Sequence, residues 1–151
     1  MAPPRGLPGH CWVGVAALVF WGCGYFTPWV TEFRSLSIPG NRFRSIALLV
    51  GRPDRASVVL ADQVEQRLAA SGSTVVSRAG RWASEPDALQ EICPREQPAT
   101  LDGVLFVWSD QLRLWDCRTH VAAYEVRTEQ ARSEELLKRL VRYLRGEPPP
   151  S

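Results

Sequence analysis

The residues best suited to chemistry gather late in the chain. Cys117 and His120 stand in a C-x-x-H spacing, and Cys93 and Asp116 could supply two more donors. Four N, S or O ligands satisfy a tetrahedral zinc. No second close ligand pair exists, and thiols of an exported domain oxidise to disulfides. A metal centre is therefore not expected. Ser109, Asp110 and His120 have the residue types of a nucleophile, an acid and a base. Ser109 and His120 fall at opposite ends of one strand, about 20 Å apart on strand geometry, which excludes a triad and leaves His120 as a turn residue. Gly51, in "GRPDR", follows a strand and precedes a helix, where phosphate-binding turns form. Both G-x-G-x-x-G and G-x-x-x-x-G-K-[ST] are missing, so Gly51 reads as a structural turn. Trp82, Trp108 and Trp115 read as core or sheet-face residues. Trp115 shares a strand face with Arg113, and this pair is the interface candidate, because exposed aromatic and Arg side chains are enriched where proteins meet. No catalytic, cofactor-binding or metal residue is assigned, and no enzyme activity is expected.

Cys23 is the remaining reactive side chain. It closes "WVGVAALVFWGC", within an uncharged run from Cys11 to Thr31 preceded by Arg5. A basic residue, an apolar stretch and a small residue form an export signal. "VFWGC" matches a lipoprotein cleavage box at Gly22 and Cys23 and departs from it at Trp21, so Cys23 is the lipidation candidate. The same run supplies the roughly 20 apolar residues of an uncleaved membrane helix, with Trp12 and Tyr25, Phe26 and Trp29 placed for aromatic belts. A third reading, a buried helix of a soluble protein, suits so long a run poorly. Arg34, Arg42 and Arg44 follow the run and Arg5 alone precedes it. By the positive-inside rule an uncleaved helix would leave the domain in the cytoplasm, whereas a lipoprotein signal would place it in the periplasm.

The chain has 151 residues with 18 basic and 16 acidic side chains. One domain is expected. The balanced charge supplies no basic stripe for a nucleic acid, and no nucleic-acid partner is expected. The basic residues are Arg but for Lys138.

The elements follow from periodicity. Residues 1–31 form the signal or membrane segment, residues 32–43 read as a linker around Pro39–Gly40–Asn41, and residues 44–146 form the α/β domain. "RSIALLVG" is a buried strand. Leu60, Val64 and Leu68 repeat at helical spacing between a capping Asp54 and a closing Gly72. "STVVSR" is a second strand, completing a βαβ unit with parallel pairing. Ser84, Pro86 and Asp87 mark the start of a short helix that ends before Pro94. "LDGVLFVW", "QLRLWDC" and "VAAYEVR", separated by two short turns, form an antiparallel meander. Leu136, Leu137, Leu140, Val141 and Leu144 line one face of a final helix closed by Gly146, and residues 147–151 are a frayed tail. The order is β-α-β-α-β-β-β-α, an α/β two-layer sandwich after an N-terminal apolar helix.

That topology brings Cys117 beside the start of strand 101–108, next to the loop after Cys93. A Cys93–Cys117 disulfide follows, contributing roughly 3 kcal/mol through loop closure. If Cys11 leaves with a signal and Cys23 is acylated, these two thiols remain.

Residues 44–145 resemble the small α/β domain of the penicillin-binding-protein activator lipoproteins, the curli-secretion lipoproteins and the amino-terminal domain of the Tol translocation protein. The similarity lies in "SIALLVG", in "ADQVEQRLAASGSTVVSRAGRW" and in "LDGVLFVWSDQLRLWDCRTHVAAYEV". It implies a bacterial, non-enzymatic cell-envelope protein that docks onto another envelope protein while its N-terminus engages membrane lipid. It implies no cofactor and transfers no binding residue. The expectation is a membrane-attached protein acting by protein–protein binding, with a single-span protein carrying a cytoplasmic sensing module as the alternative.

Overall fold

The computed structural model describes residues 29–78, 84–129 and 132–151. Residues 1–28 of the expected signal or membrane segment, with Cys11 and Cys23, and also Trp82, lie outside these residues. Among the described residues no helix is long and apolar enough to cross a membrane.

Six strands form one open sheet: β1 (Val30–Arg34), β2 (Ser45–Val50), β3 (Thr74–Arg78), β4 (Gly103–Trp108), β5 (Gln111–Asp116) and β6 (Ala122–Thr128). Their order across the sheet is β1-β6-β5-β4-β2-β3. β2 pairs in parallel with β3 and β4, because each crossover carries a helix. β4, β5, β6 and β1 pair antiparallel. Three helices cover the sheet: α1 (Arg55–Ala70), α2 (Glu85–Ile92) and α3 (Ser133–Leu144). The expected α/β class and element order stand, with one strand added at the front.

The alternation of side chains along each strand sets two faces. On the first face Ile46, Leu48, Leu105, Leu112, Leu114 and Tyr124 pack beneath Leu60, Val64 and Leu68 of α1 and Leu136 and Leu140 of α3. Tyr124 and Tyr143 stack within this core at 4.5 Å. On the second face Ala47, Leu49, Val104 and Phe106 meet Ala88, Leu89 and Ile92 of α2. Helices therefore lie on both sides of the sheet, and α2 forms a third layer where two layers were expected. A β-bulge between Leu114 and Trp115 shifts the β5–β6 register.

The expected linker is the main correction. Its first residues belong to β1, which pairs with β6 over Val30–Arg34, and the domain starts near Val30. The cause is long-range: Glu32 turns inward to Arg34 and Arg139, and no local periodicity announces such a partner. The tail is also engaged, since Arg34 donates to the Glu147 carbonyl and Arg142 to that of Pro148.

Caps behave as the sequence implied. Asp54 accepts the Ser57 N–H at the start of α1, and Ser84 accepts the Asp87 N–H at the start of α2. The Ser57 bonds hold the Asp54 carboxyl below its ordinary range. Gly72 takes φ 86° after α1, a conformation that favours glycine.

Gly40 opens a 3-10 turn (Gly40–Arg42) against the end of α3. A Cβ there would lie 1.9 Å from the Tyr143 carbonyl oxygen. Backbone cannot rotate aside, so Gly40→Ala is expected to destabilise the protein by about 1–3 kcal/mol, read as a lower urea midpoint at unchanged slope.

Candidate functional site

The candidate chemistry residues converge on the second sheet face, where α2, eight residues long, is the one helix among the described residues. Two devices fix α2. At its C-terminal end Cys93 is bonded to Cys117, with Cα atoms 5.4 Å apart. Both residues are buried. Gly103 opposite Asp116 fixes the β4–β5 register that carries Cys117 there, so the expected disulfide is present. At the N-terminal end Glu85 accepts from Arg113 Nη1 at 2.5 Å and from Trp115 Nε1 at 2.5 Å.

Arg113 is the centre of a polar strip. Its Nε donates to Glu125 at 2.9 Å, and its guanidinium lies over the Trp108 ring, 5.7 Å from the centroid. Gln111 donates to Glu125 and accepts from Arg127. Burial disfavours the Arg113 charge, but the Glu125 hydrogen bond and the carboxylates of Glu85 and Glu125 outweigh it and raise its pKa. Arg113 and Trp115 share a face as expected, yet both are partly buried and bound to the chain's own α2. The interface candidates thus hold the fold together, and the missed residue is Glu85. Its only sequence signal was its place in the first turn of a capped helix.

The zinc grouping dissolves in the same geometry. The two sulfurs bond each other, and Asp116 is fully buried against Arg42 and Thr119. No group of three His, Cys, Asp or Glu among the described residues could hold a metal ion. His120 sits in a turn at φ 56°. Its Nε2 lies 2.6 Å from the Cys93 carbonyl, and Arg95 donates to its Nδ1 at 3.3 Å. That places the ring proton on Nε2, where it donates to the carbonyl. Gly51 is explained by packing: a Cβ would lie 2.2 Å from the Trp108 indole nitrogen. An open hollow at the end of β4 is lined by Arg55, Val59, Gln63, Ser109 and Ser133, and Arg55 carries the one charge among its described lining residues. Tyr143, pushed up to about 12 by burial, and Tyr124, raised by burial and by Glu32, stay protonated near neutral pH.

No protein-family model matches the sequence, and no characterised protein matches it. Among solved structures, a leucine-to-methionine variant of the PelC dodecamer from Paraburkholderia phytofirmans aligns with 80% of this chain and 100% of its own, at 14% identity and a TM-score of 0.48. A second crystal form of the PelC dodecamer from the same organism aligns with 80% of this chain and 98% of its own, at 16% identity and a TM-score of 0.45.

Removing the Glu85 carboxylate charge leaves Arg113 with one acidic partner and weakens the tie to Trp115. Glu85→Gln is expected to cost about 1–3 kcal/mol. A double-mutant cycle of Glu85→Ala with Arg113→Ala should return a coupling of at least about 0.5 kcal/mol. Additive single effects in chemical denaturation would show that the two side chains do not act as a unit.

Proposed function

We propose that this is an exported, membrane-attached envelope protein that acts by binding another protein. The observation that carries the reading is the buried Cys93–Cys117 bond. Cytosolic reductants keep such thiols apart, whereas the periplasm oxidises them. The disulfide therefore favours a domain in the periplasm over the single-span alternative with a cytoplasmic module. It also restores the cysteine arithmetic, leaving Cys23 for lipid.

Binding rather than catalysis is supported by how the described charges are spent. Glu85 and Glu125 share Arg113 between them, and Asp116 is taken by Arg42. Each ionisable group in these clusters is committed to structure, which leaves it poorly placed to poise a proton for a substrate. The surface offered to a partner is the outer side of α1, where Val58 and Val59 are both more than two-fifths exposed beside the hollow that Val59 helps to line. Apolar side chains side by side on an outward helix face suit docking better than solvation.

Intact mass of protein from the membrane fraction tests the placement. A chain cleaved before Cys23, carrying acyl mass and lacking the two thiol hydrogens of Cys93 and Cys117, is expected. Cys23→Ala should abolish the acyl mass. Free thiols at Cys93 and Cys117 in acid-quenched cells would overturn export and revive the cytoplasmic alternative.

A further inference from the structure

We infer that the β1 edge of the sheet lies against the membrane surface, with Trp29, Phe33 and Leu36 inserted among lipid. The inference rests on the membrane attachment proposed above and adds a second, non-covalent contact made by the folded domain.

β1 carries its side chains in the reverse of the usual order. An antiparallel strand with one face toward water turns its polar side chains to that face and its apolar ones to the core. Here the charged residues face inward: Glu32 is bound by Arg34 and Arg139, and Arg34 also lies over the Tyr143 ring. The other row is uncharged. Trp29 is 66% exposed and Phe33 52% exposed, and Thr31 between them is exposed as well. Leu36, just beyond the strand, is fully exposed. The Ser35 N–H donates to the Ala123 carbonyl, which sets this loop beside the β5–β6 turn, where Val121 is half exposed. Water makes this arrangement unfavourable, and an apolar neighbour makes it favourable.

Chain continuity selects lipid as that neighbour. The uncharged run from Cys11 to Thr31 overlaps the first residues of β1. If Cys23 is acylated, an extended chain places Trp29 at most about 20 Å from the lipid. If the run is an uncleaved helix, Trp29 stands at its end, in the interface that Trp favours. Either way this edge is where the chain passes from the bilayer into the domain. The charges across from this row, Glu125, Arg127 and Glu129, are of mixed sign, and Glu125 is already bound by Arg113 and Gln111, so contact is driven by apolar burial and should be insensitive to salt.

Photocrosslinking in the full-length chain identifies what covers the edge. p-Benzoylphenylalanine is placed at Phe33, at Leu36 and, on the opposite edge strand β3, at Val76, which is 38% exposed. A retained Cys93–Cys117 bond on non-reducing gels shows that each variant has folded. Irradiation of intact membranes is expected to give phospholipid adducts at 33 and 36 roughly tenfold above those at 76, with no decline in high salt. Membrane-bound protein giving adducts to a second copy or to another protein at 33 and 36, or equal lipid adducts at all three positions, would overturn the contact while leaving attachment intact. A chain recovered wholly in the soluble fraction would overturn attachment, and the contact with it.

Discussion

A sheet buried on both faces needs cover on both, and here the cover is unequal. The first face lies beneath two helices that insert a continuous stripe of Leu and Val. Among the described residues the second has α2 alone, eight residues long. Among the described residues fewer buried apolar side chains lie on that side, and hydrophobic stabilisation scales with the area buried. The fold makes up the difference with a covalent bond at one end of α2 and an ionic, hydrogen-bonded clamp at the other. Most of what is distinctive about the protein follows from this shortage of cover.

The residue types on the second face reflect that constraint. Near α2 they are small or apolar, from Ala47 to Phe106. Beyond the helix they become Gln111, Arg113, Glu125 and Arg127, linked through side-chain hydrogen bonds. A half-buried guanidinium is tolerated because two carboxylates and the Trp108 ring surround it. Clustered charges of this kind are also what marks an active site. Here the side chains are instead bound to one another and to α2, which is a structural role.

Two surfaces of the domain differ in kind. The outer side of α1 carries Val58 and Val59 next to an open hollow, the proposed place for a protein partner. The β1 edge carries aromatic residues at the point where the apolar run enters the domain. With α1 packed on β2, β3 and β4, several strands separate the two surfaces, so lipid and partner need not compete. The proposed arrangement holds the domain close to the bilayer by one edge and leaves the far side free.

Sequence alone determined the elements whose signals are local. The stripes Leu60–Val64–Leu68 and Leu136–Leu140–Leu144, the Asp54 and Ser84 caps and the two short turns after Trp108 specify helices and a meander, because propensity, capping and period all act within a few residues. It also determined the disulfide, since the order of strands and the shortness of the turns bring Cys93 and Cys117 together. Only the tertiary structure decided the rest. Residues 30–34 became a strand because β6 offered an edge and Arg139, over a hundred residues away, offered Glu32 a partner. α2 took the opposite face because its apolar side fits Ala47, Leu49 and Val104. Arg113 and Trp115 turned from candidate contacts into supports because Glu85 lay within reach. In each case the deciding energy came from groups far apart in sequence, and no local pattern records such a meeting.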